Sequence, residues 1–249
     1  MRIPVLAALA IGMAAMAAAQ TAPNWDYRGP YGPINWSKLD PSYKACSDGH
    51  RQSPINIRKA RLNKALKPLD LHFIAGPVTL ENDGHMITVH TGNGSYLVNG
   101  GVRYELQRID FHRPSETAVN GKLADLSLGM FFKSADGKMA ILAVRMNADR
   151  DVTNPTLANL WTKLPAAPGT SEKITDIMVN PGGLLPVDPG YWTYMGSLTT
   201  PPCTEGVKWF VMEKVVDISR EQLGSYTSIY KMNSRPLQST HGRRIEANK

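Results

Sequence analysis

The sequence predicts a mainly β protein of the α+β class, with a large, twisted, mostly antiparallel central sheet and short surface helices. Three observations support this prediction. Seven short runs rich in branched and aromatic residues follow one another between residues 68 and 147. Asp-Gly and Asn-Gly pairs separate many of these runs, and such pairs supply the positive φ that hairpin turns need. Helical spacing of apolar residues is confined to short later stretches.

The strand pattern begins after a loop. Residues 24–45 are predicted to be loop-like, because Gly-Pro and Asp-Pro pairs interrupt regular structure there. The predicted strands are Leu71–Ile74, Val78–Glu81, Met86–Thr91, Ser95–Val98, Arg103–His112, Ala124–Lys133 and Met139–Met146. The turn pairs are Asp83-Gly84, Asn93-Gly94, Asn99-Gly100, Asn120-Gly121 and Asp136-Gly137.

The later part of the chain mixes helix and strand signals. Residues 153–164 have apolar side chains at helical spacing and a proline near the first turn, which predicts a short amphipathic helix. Ile174 and Met178 indicate another short element, and Val207–Val211 is predicted as a strand. Ser219 with Gln222 three residues later is a capping-box pattern, so a helix is predicted to begin there.

The first nineteen residues have the pattern of a secretory signal peptide. A positive start at Arg2 precedes an apolar, Ala-rich run that ends in Ala17-Ala18-Ala19. We therefore predict a signal peptide over residues 1–19 and one domain over residues 20–249, exported to the periplasm or secreted. The alternative is an uncleaved N-terminal anchor. No later segment is apolar enough to predict a membrane span.

The charge balance limits the class of partner. The chain has a formal charge of +7, and removal of Arg2 leaves 27 basic and 21 acidic residues, a charge of +6. Small basic clusters lie at Lys59–Arg61, Lys64–Lys67 and Arg243–Arg244, without the aromatic-interleaved stripe of a nucleic-acid surface. The sequence identifies no partner. The charge suits an anionic glycan or an envelope protein, and the alternative is a solvated face.

The only two cysteines are Cys46 and Cys203. An even number of cysteines in an exported protein favours a disulfide over two free thiols, because the extracytoplasmic compartment is oxidising. The alternative of two buried thiols stays open on this argument.

Two residues with metal-ligand chemistry lie on one predicted strand. Because side chains alternate along a strand, one face of Arg103–His112 is predicted to carry Leu106, Arg108, Asp110 and His112. An Asp and a His two residues apart form half of a metal site. The alternative is a hydrogen-bonded polar pair. The strand Ala124–Lys133 is predicted to lie beside it and to present Ser127, Gly129 and Phe131 on one face.

Six ordered motifs extend this local signal. They are Trp25-Asp-Tyr27 with Gly32-Pro33 and Trp36, Gln52-Ser-Pro54, Asn82-Asp-Gly-His85, Phe111-His-Arg-Pro-Ser-Glu116, Leu198-Thr-Thr-Pro-Pro-Cys203, and Asn233-Ser-Arg-Pro-Leu-Gln238. Together they resemble the α-carbonic anhydrases over nearly the whole mature chain. The resemblance implies that family's fold, and it implies a Cys46–Cys203 bridge like that of secreted members. It also implies a zinc-bound hydroxide that attacks carbon dioxide, with three histidines on the metal.

The resemblance assigns roles to individual positions. His85 matches the proton shuttle, and Thr199 with Glu116 matches the relay that orients the hydroxide. The apolar pocket wall matches Phe131, Ile141, Leu198, Thr200, Val207 and Trp209. His112 matches the second zinc ligand. The first ligand position is Asp110 and the third is Gly129, and neither is a histidine.

The two substitutions make the zinc site degenerate. One imidazole and one carboxylate fall short of the three or four protein ligands that zinc sites use. His50, His72, His90 and His241 lie off these strands, so none is an obvious replacement. The favoured hypothesis is an exported binding module without zinc-dependent hydration and without a cofactor. The alternatives are an active carbonic anhydrase or esterase-like hydrolase whose Zn²⁺ is held by Asp110, His112 and an unrecognised third group, and a small-molecule binder that uses the vacant cone.

Overall fold

A computed structural model describes residues 24–92 and 94–249. The predicted signal peptide falls outside these residues. The described residues form fifteen strands. They are β1 Asn56–Ile57, β2 Arg61–Leu62, β3 Asp70–His72, β4 Gly76–Asn82, β5 Ile87–Thr91, β6 Tyr96–Asn99, β7 Val102–His112, β8 Ala118–Val119, β9 Leu126–Ser134, β10 Met139–Asn147, β11 Thr170–Val179, β12 Tyr191–Ser197, β13 Glu205–Met212, β14 Val216–Asp217 and β15 Glu246–Ala247.

Thirteen of these strands form one large sheet. The order along the sheet is β11, β4, β5, β7, β9, β10, β13, β12, β15 and β2, while β6 joins β7 to β3, and β14 pairs with β10. Most neighbours are antiparallel, and the parallel pairs are β10 with β13, β10 with β14, and β15 with β2. β1 and β8 form a separate parallel pair. The predicted mainly β class and mostly antiparallel sheet are confirmed.

The helices are short and lie between the strands. The α-helices are α1 Trp36–Leu39, α2 Ala45–Asp48, α3 Pro155–Leu160 and α4 Arg220–Ile229. Single 3₁₀ turns occur at Gly29–Tyr31, Pro41–Tyr43, Trp161–Lys163 and Pro181–Leu184. The predicted capping box is confirmed, because Ser219 and Gln222 make reciprocal side-chain to backbone hydrogen bonds at the start of α4. None of the helices in the described ranges is long and apolar enough to cross a membrane.

Several elements were not predicted from the sequence. Residues 24–45 contain α1 and two 3₁₀ turns rather than loop alone. The signal around Ile174 belongs to β11, and β12 has no predicted counterpart. Strand β12 contains two glycine or serine positions and begins after a proline-rich loop, so its alternation was too weak to be recognised.

A β-bulge in β7 determines which side chains reach each face of the sheet. Leu106 pairs with Phe132 and Arg108 pairs with Phe131, so Gln107 is an extra residue on β7. Leu106 therefore lies in the main hydrophobic core with residues such as Ile109. The prediction that Leu106 shares a face with Arg108, Asp110 and His112 is wrong, because strict alternation ends at the bulge.

The two faces of β9 belong to different apolar clusters. Leu128, Met130 and Phe132 pack in the main core between the sheet and the helices. Phe131 instead packs with Ile141 and Trp209 in a second cluster on the opposite face. The site described below lies on this second face, where β7, β9, β10 and β13 are adjacent in the sheet.

The predicted disulfide is confirmed. Cys46 of α2 and Cys203 are bonded across a sequence separation of 157 residues, with 5.0 Å between their Cα atoms. Both cysteines are buried in a small cluster with Tyr27, Trp36 and Tyr43. The bond thus ties the N-terminal segment to the loop that follows β12.

We expect loss of this bond to lower the free energy of unfolding by about 2–5 kcal/mol, because a long closed loop strongly restricts the unfolded chain. The change is Cys46→Ala with Cys203→Ala, and the measurement is urea denaturation of the variant beside the oxidised protein. Chemical reduction of the unmutated protein is the matched control. A loss below about 1 kcal/mol in both samples would contradict the expectation.

Candidate functional site

The matched positions converge on one narrow cleft. It is lined by Arg108, Asp110, His112, Glu116, Gly129, Phe131, Ile141, Leu198, Thr199, Thr200 and Trp209. The space open to the centre of a water molecule is about 20 Å³. That is room for roughly one ordered water, which needs about 10–15 Å³ on this measure. The cleft therefore has the right residues around it but little free volume.

Asp110 is held by two neighbours in this cleft. The Nε–H of Arg108 donates to Asp110 Oδ2 at 2.8 Å and to Oδ1 at 3.1 Å. Thr88 Oγ1, on the adjacent strand β5, donates to Asp110 Oδ1 at 2.9 Å. The Asp110 side chain is only 13% exposed. Both carboxylate oxygens are thus committed to protein donors, which satisfies a nearly buried charge.

Arg108 also covers the aromatic ring of the neighbouring strand. Its guanidinium carbon lies 4.5 Å from the centroid of the Phe131 ring, within the range of a cation–π contact. The alternation of side chains predicts the face on which Arg108 lies, but the sequence assigns this residue no role. The available signal was the spacing of Arg108 and Asp110, which puts opposite charges two residues apart on one side of a strand.

His112 is fixed by the backbone of a distant segment. Its Nδ1–H donates to the carbonyl oxygen of Asn233 at 2.9 Å, and the ring lines the cleft, which leaves Nε2 without a bond to that segment. Glu116 Oε2 lies 3.8 Å from that Nε2. Both side chains are buried. His112 is thus the one matched ligand position whose nitrogen remains available to a cation.

Glu116 lies in a polar but poorly satisfied environment. Its Oε1 accepts no hydrogen bond from any described group. Burial lowers the pKa of the nearby Arg235 to about 10, and the Glu116 charge partly opposes that shift. Burial, and secondly the Glu116 charge, raise the pKa of Tyr27 well above its ordinary value. An acceptor that is buried without a donor costs free energy, so this oxygen is a place where a polar partner would stabilise the protein.

The loop of Thr199 is tightly built. Leu198 N–H donates to Thr204 O and Cys203 N–H donates to Thr200 O, each at 2.9 Å. Cys203 then anchors the turn through the disulfide. Thr199 is buried beside Glu116 in the cleft wall, but no hydrogen bond joins the two side chains among those of the described residues.

Two matched positions lie outside the cleft lining. His85 stacks on Trp25 with ring centroids 3.8 Å apart, and its Nε2–H donates to the Trp25 carbonyl oxygen at 2.8 Å. This holds the ring of the proposed shuttle residue against the N-terminal segment. Val207 is fully buried in the apolar cluster behind the wall, so it supports the cleft without lining it.

Gly129 leaves open space at the third ligand position. It pairs directly with Asp110 across the β7–β9 ladder. A Cβ atom at Gly129 would meet only Ile141 Cγ2, at an ordinary contact distance of 3.5 Å. The backbone there does not require glycine, so a side chain is absent by sequence rather than by steric necessity.

These residues do not fit a catalytic zinc ion. Zinc catalysis needs three protein ligands and an open position. Here His112 offers one nitrogen, Asp110 is bound by Arg108, and Gly129 offers nothing. Among residues 24–92 and 94–249, no group of three His, Cys, Asp or Glu side chains could hold a metal ion. Of the other histidines, His72 lies beside Asp70, His90 lies beside Glu81, and His50 and His241 contact each other with ring centroids 5.1 Å apart. None of these four lines the cleft.

Comparison with known proteins gives the family. The family model for eukaryotic-type carbonic anhydrase matches residues 31–249. A carbonic anhydrase of Pectobacterium carotovorum is 37% identical over 240 residues, which cover 96% of each chain. The structure of the α-carbonic anhydrase of Thermovibrio ammonificans with the inhibitor sulfanilamide is 34% identical, with a TM-score of 0.87 over 91% of this chain and all of that one.

A second solved structure is similar over most of the chain. The crystal structure of dioscorin complexed with ascorbate is 32% identical and superposes with a TM-score of 0.81, covering 90% of this chain and 97% of that one. Family match, sequence identity and fold all agree over nearly the same residues. The chain therefore belongs to the α-carbonic anhydrase family.

Proposed function

We propose that this protein is an exported α-carbonic anhydrase-like binding module that does not hydrate carbon dioxide with zinc. The observation that carries the proposal is the ion pair of Arg108 with Asp110. The pair places a fixed guanidinium beside the first ligand position, and the opposite position is Gly129. A cation arriving there would meet a positive charge, one imidazole and no third ligand.

Further features support a role outside the cytoplasm. A disulfide over so long a loop is typical of proteins that mature in an oxidising compartment. With the predicted signal peptide, it supports export to the periplasm or secretion. The surplus of basic residues then suits a partner of negative charge, such as an anionic glycan or an envelope protein.

Two other functions compete with this proposal. Conventional hydration would need a metal held by His112 and groups that this cleft does not supply. Binding of a small molecule in the cleft is favoured by the similarity to dioscorin, whose crystal structure is a complex with ascorbate. The free space of about 20 Å³ opposes it, because Arg108 and Phe131 fill the cone. A binding surface elsewhere on the protein needs neither the missing metal ligands nor free volume in this cleft.

We expect the purified protein to contain less than roughly 0.1 zinc ion per chain after incubation with Zn²⁺ and desalting, since a single free imidazole binds zinc weakly. Elemental analysis gives the stoichiometry, and stopped-flow hydration with added Zn²⁺ gives the activity. An active family member treated in the same way is the control. Stoichiometric zinc with turnover above the buffer rate would refute the proposal.

Three substitutions should rebuild a zinc site. Asp110→His and Gly129→His supply the missing imidazoles, and Arg108→Gln removes the guanidinium that would repel the metal. We expect about one zinc per chain in this triple variant, and weaker binding in the double variant that retains Arg108. A folded triple variant that stays metal-free would show that the side chains at positions 110, 112 and 129 do not face a common point.

Removal of Arg108 should destabilise the protein, because Asp110 would remain nearly buried without its cation. We expect Arg108→Leu to cost about 1–3 kcal/mol of unfolding free energy. The matched control is Arg150→Leu, which breaks the exposed Arg150–Asp217 pair and should cost less than about 1 kcal/mol. Urea denaturation measures both losses. Equal losses would mean that the Arg108–Asp110 pair contributes no more to the free energy of unfolding than an exposed ion pair.

A further inference from the structure

Two basic segments that are far apart in the sequence meet in the fold. Strand β2 pairs in parallel with β15, and Arg61 N–H donates to the Ile245 carbonyl oxygen at 2.9 Å. This pairing brings residues 58–61 beside residues 243–245. Between them lies a groove of about 370 Å³, which we name the basic groove, lined by Asn56, Arg58, Lys59, Arg61, Thr240, Gly242, Arg243, Arg244 and Ile245.

The charge of this groove is largely uncompensated. Five of its lining residues are Arg or Lys and none is Asp or Glu. Arg58, Lys59 and Arg61 are exposed and form no ion pair with any described carboxylate. Only Arg244 has a carboxylate partner, Glu246, at 2.8 Å. Such a concentration of one sign raises the local concentration of anions.

Arg243 gives the groove a rigid floor. Its guanidinium donates to four backbone carbonyl oxygens, those of Gln52, Met195, Ser239 and Thr240, at 2.6–3.0 Å. Carbonyl groups orient the guanidinium but do not neutralise it. The Arg243 charge is therefore fixed in place while Arg58, Lys59 and Arg61 remain free to contact a ligand.

A second cleft shares one lining residue with the basic groove. Lys59 lines both, and the second cleft has a volume of about 310 Å³ with Trp192 in its wall. We name it the Trp192 cleft. It contains one acidic residue, Glu213, with Lys59 and Lys249. A row of cations beside an aromatic wall matches a chain that alternates charged groups with apolar faces, as an acidic polysaccharide does.

We propose that the basic groove and the Trp192 cleft together bind an acidic polysaccharide, with its carboxylate or sulfate groups on Arg58, Lys59 and Arg61. The inference rests on the proposed binding role, but it does not depend on the state of the zinc site. The groove lies at the β2 edge of the sheet, and none of its residues lines the cleft of Asp110 and His112.

The test compares two triple variants of equal charge. The groove variant is Arg58→Gln, Lys59→Asn and Arg61→Gln, with Asn at position 59 because that residue has a φ of 51°. The control variant is Lys133→Gln, Lys173→Gln and Lys231→Gln, three exposed lysines that line neither the groove nor the cleft. Affinity electrophoresis through gels with polygalacturonate, or with neutral dextran, measures binding at about 50 and 150 mM salt.

We expect the unmutated protein to bind polygalacturonate but not dextran, and to bind more weakly at the higher salt. The groove variant should bind about 10- to 100-fold more weakly, and the control variant should stay within about 2-fold of the unmutated protein. Trp192→Ala should weaken polygalacturonate binding several-fold without changing its salt dependence. If the groove triple fails to fold, Arg58→Gln and Arg61→Gln as single variants carry the same comparison.

Specific results would overturn the inference. Equal weakening in the two triple variants would show that binding depends on net charge and not on the basic groove. If polygalacturonate does not retard the unmutated protein at the lower salt, the protein does not bind this polysaccharide and the inference is wrong. Duplex DNA bound as tightly as polygalacturonate would reject the choice of a glycan. Unchanged affinity of Trp192→Ala for polygalacturonate would show that the Trp192 cleft is not part of the binding surface. Zinc-dependent hydration would defeat the proposed function and leave these binding results as they stand.

Discussion

A carboxylate enclosed by a protein must be neutralised where it lies, and this requirement shapes the centre of the molecule. Asp110 sits on a central strand, with almost no access to water to solvate its charge. Arg108 and Thr88 supply the donors that water cannot. The guanidinium that satisfies Asp110 then rests on Phe131, and the two side chains close the cone that the fold provides. The arginine that neutralises Asp110 therefore also leaves little free volume in the cleft.

The surrounding framework is the same one that α-carbonic anhydrases use, and it holds its parts independently of a metal. His112 is oriented by a backbone carbonyl, and the Thr199 loop is closed by its own hydrogen bonds and by the disulfide. Among the residues that line the cleft, Glu116 has one carboxylate oxygen buried without a donor from any described group. The fold therefore survives with a different central interaction, while binding chemistry can be placed at its edge, where β2 and β15 meet.

The sequence predicted β3 to β7, β9 and β10 well, because their turn pairs and alternating residues are strong local signals, whereas the two-residue strand β8 was not predicted. It also predicted most of the residues that line the cleft, since Asp110, His112 and Gly129 lie on paired strands. It gave Arg108 no role there, and Val207 lies behind the wall. It could not predict the bulge at Gln107, because the extra residue is visible only in the pairing of β7 with β9. The position of His85 depended on a stacking contact with Trp25, sixty residues away, which no spacing rule reports. The meeting of residues 58–61 with 243–245 is likewise a product of topology.

The open space at Gly129 has a consequence for how this site can change over generations. A Cβ atom fits at Gly129 with only an ordinary contact to Ile141, so the backbone does not exclude a side chain there. The order of substitutions is constrained instead. Replacing Arg108 first strands the charge of Asp110, and replacing Gly129 first places a new base beside a guanidinium. A path that begins at Asp110 leaves Arg108 unpaired, which costs less because Arg108 is the more exposed partner. The order in which these positions can change is thus set by one ion pair rather than by the shape of the backbone.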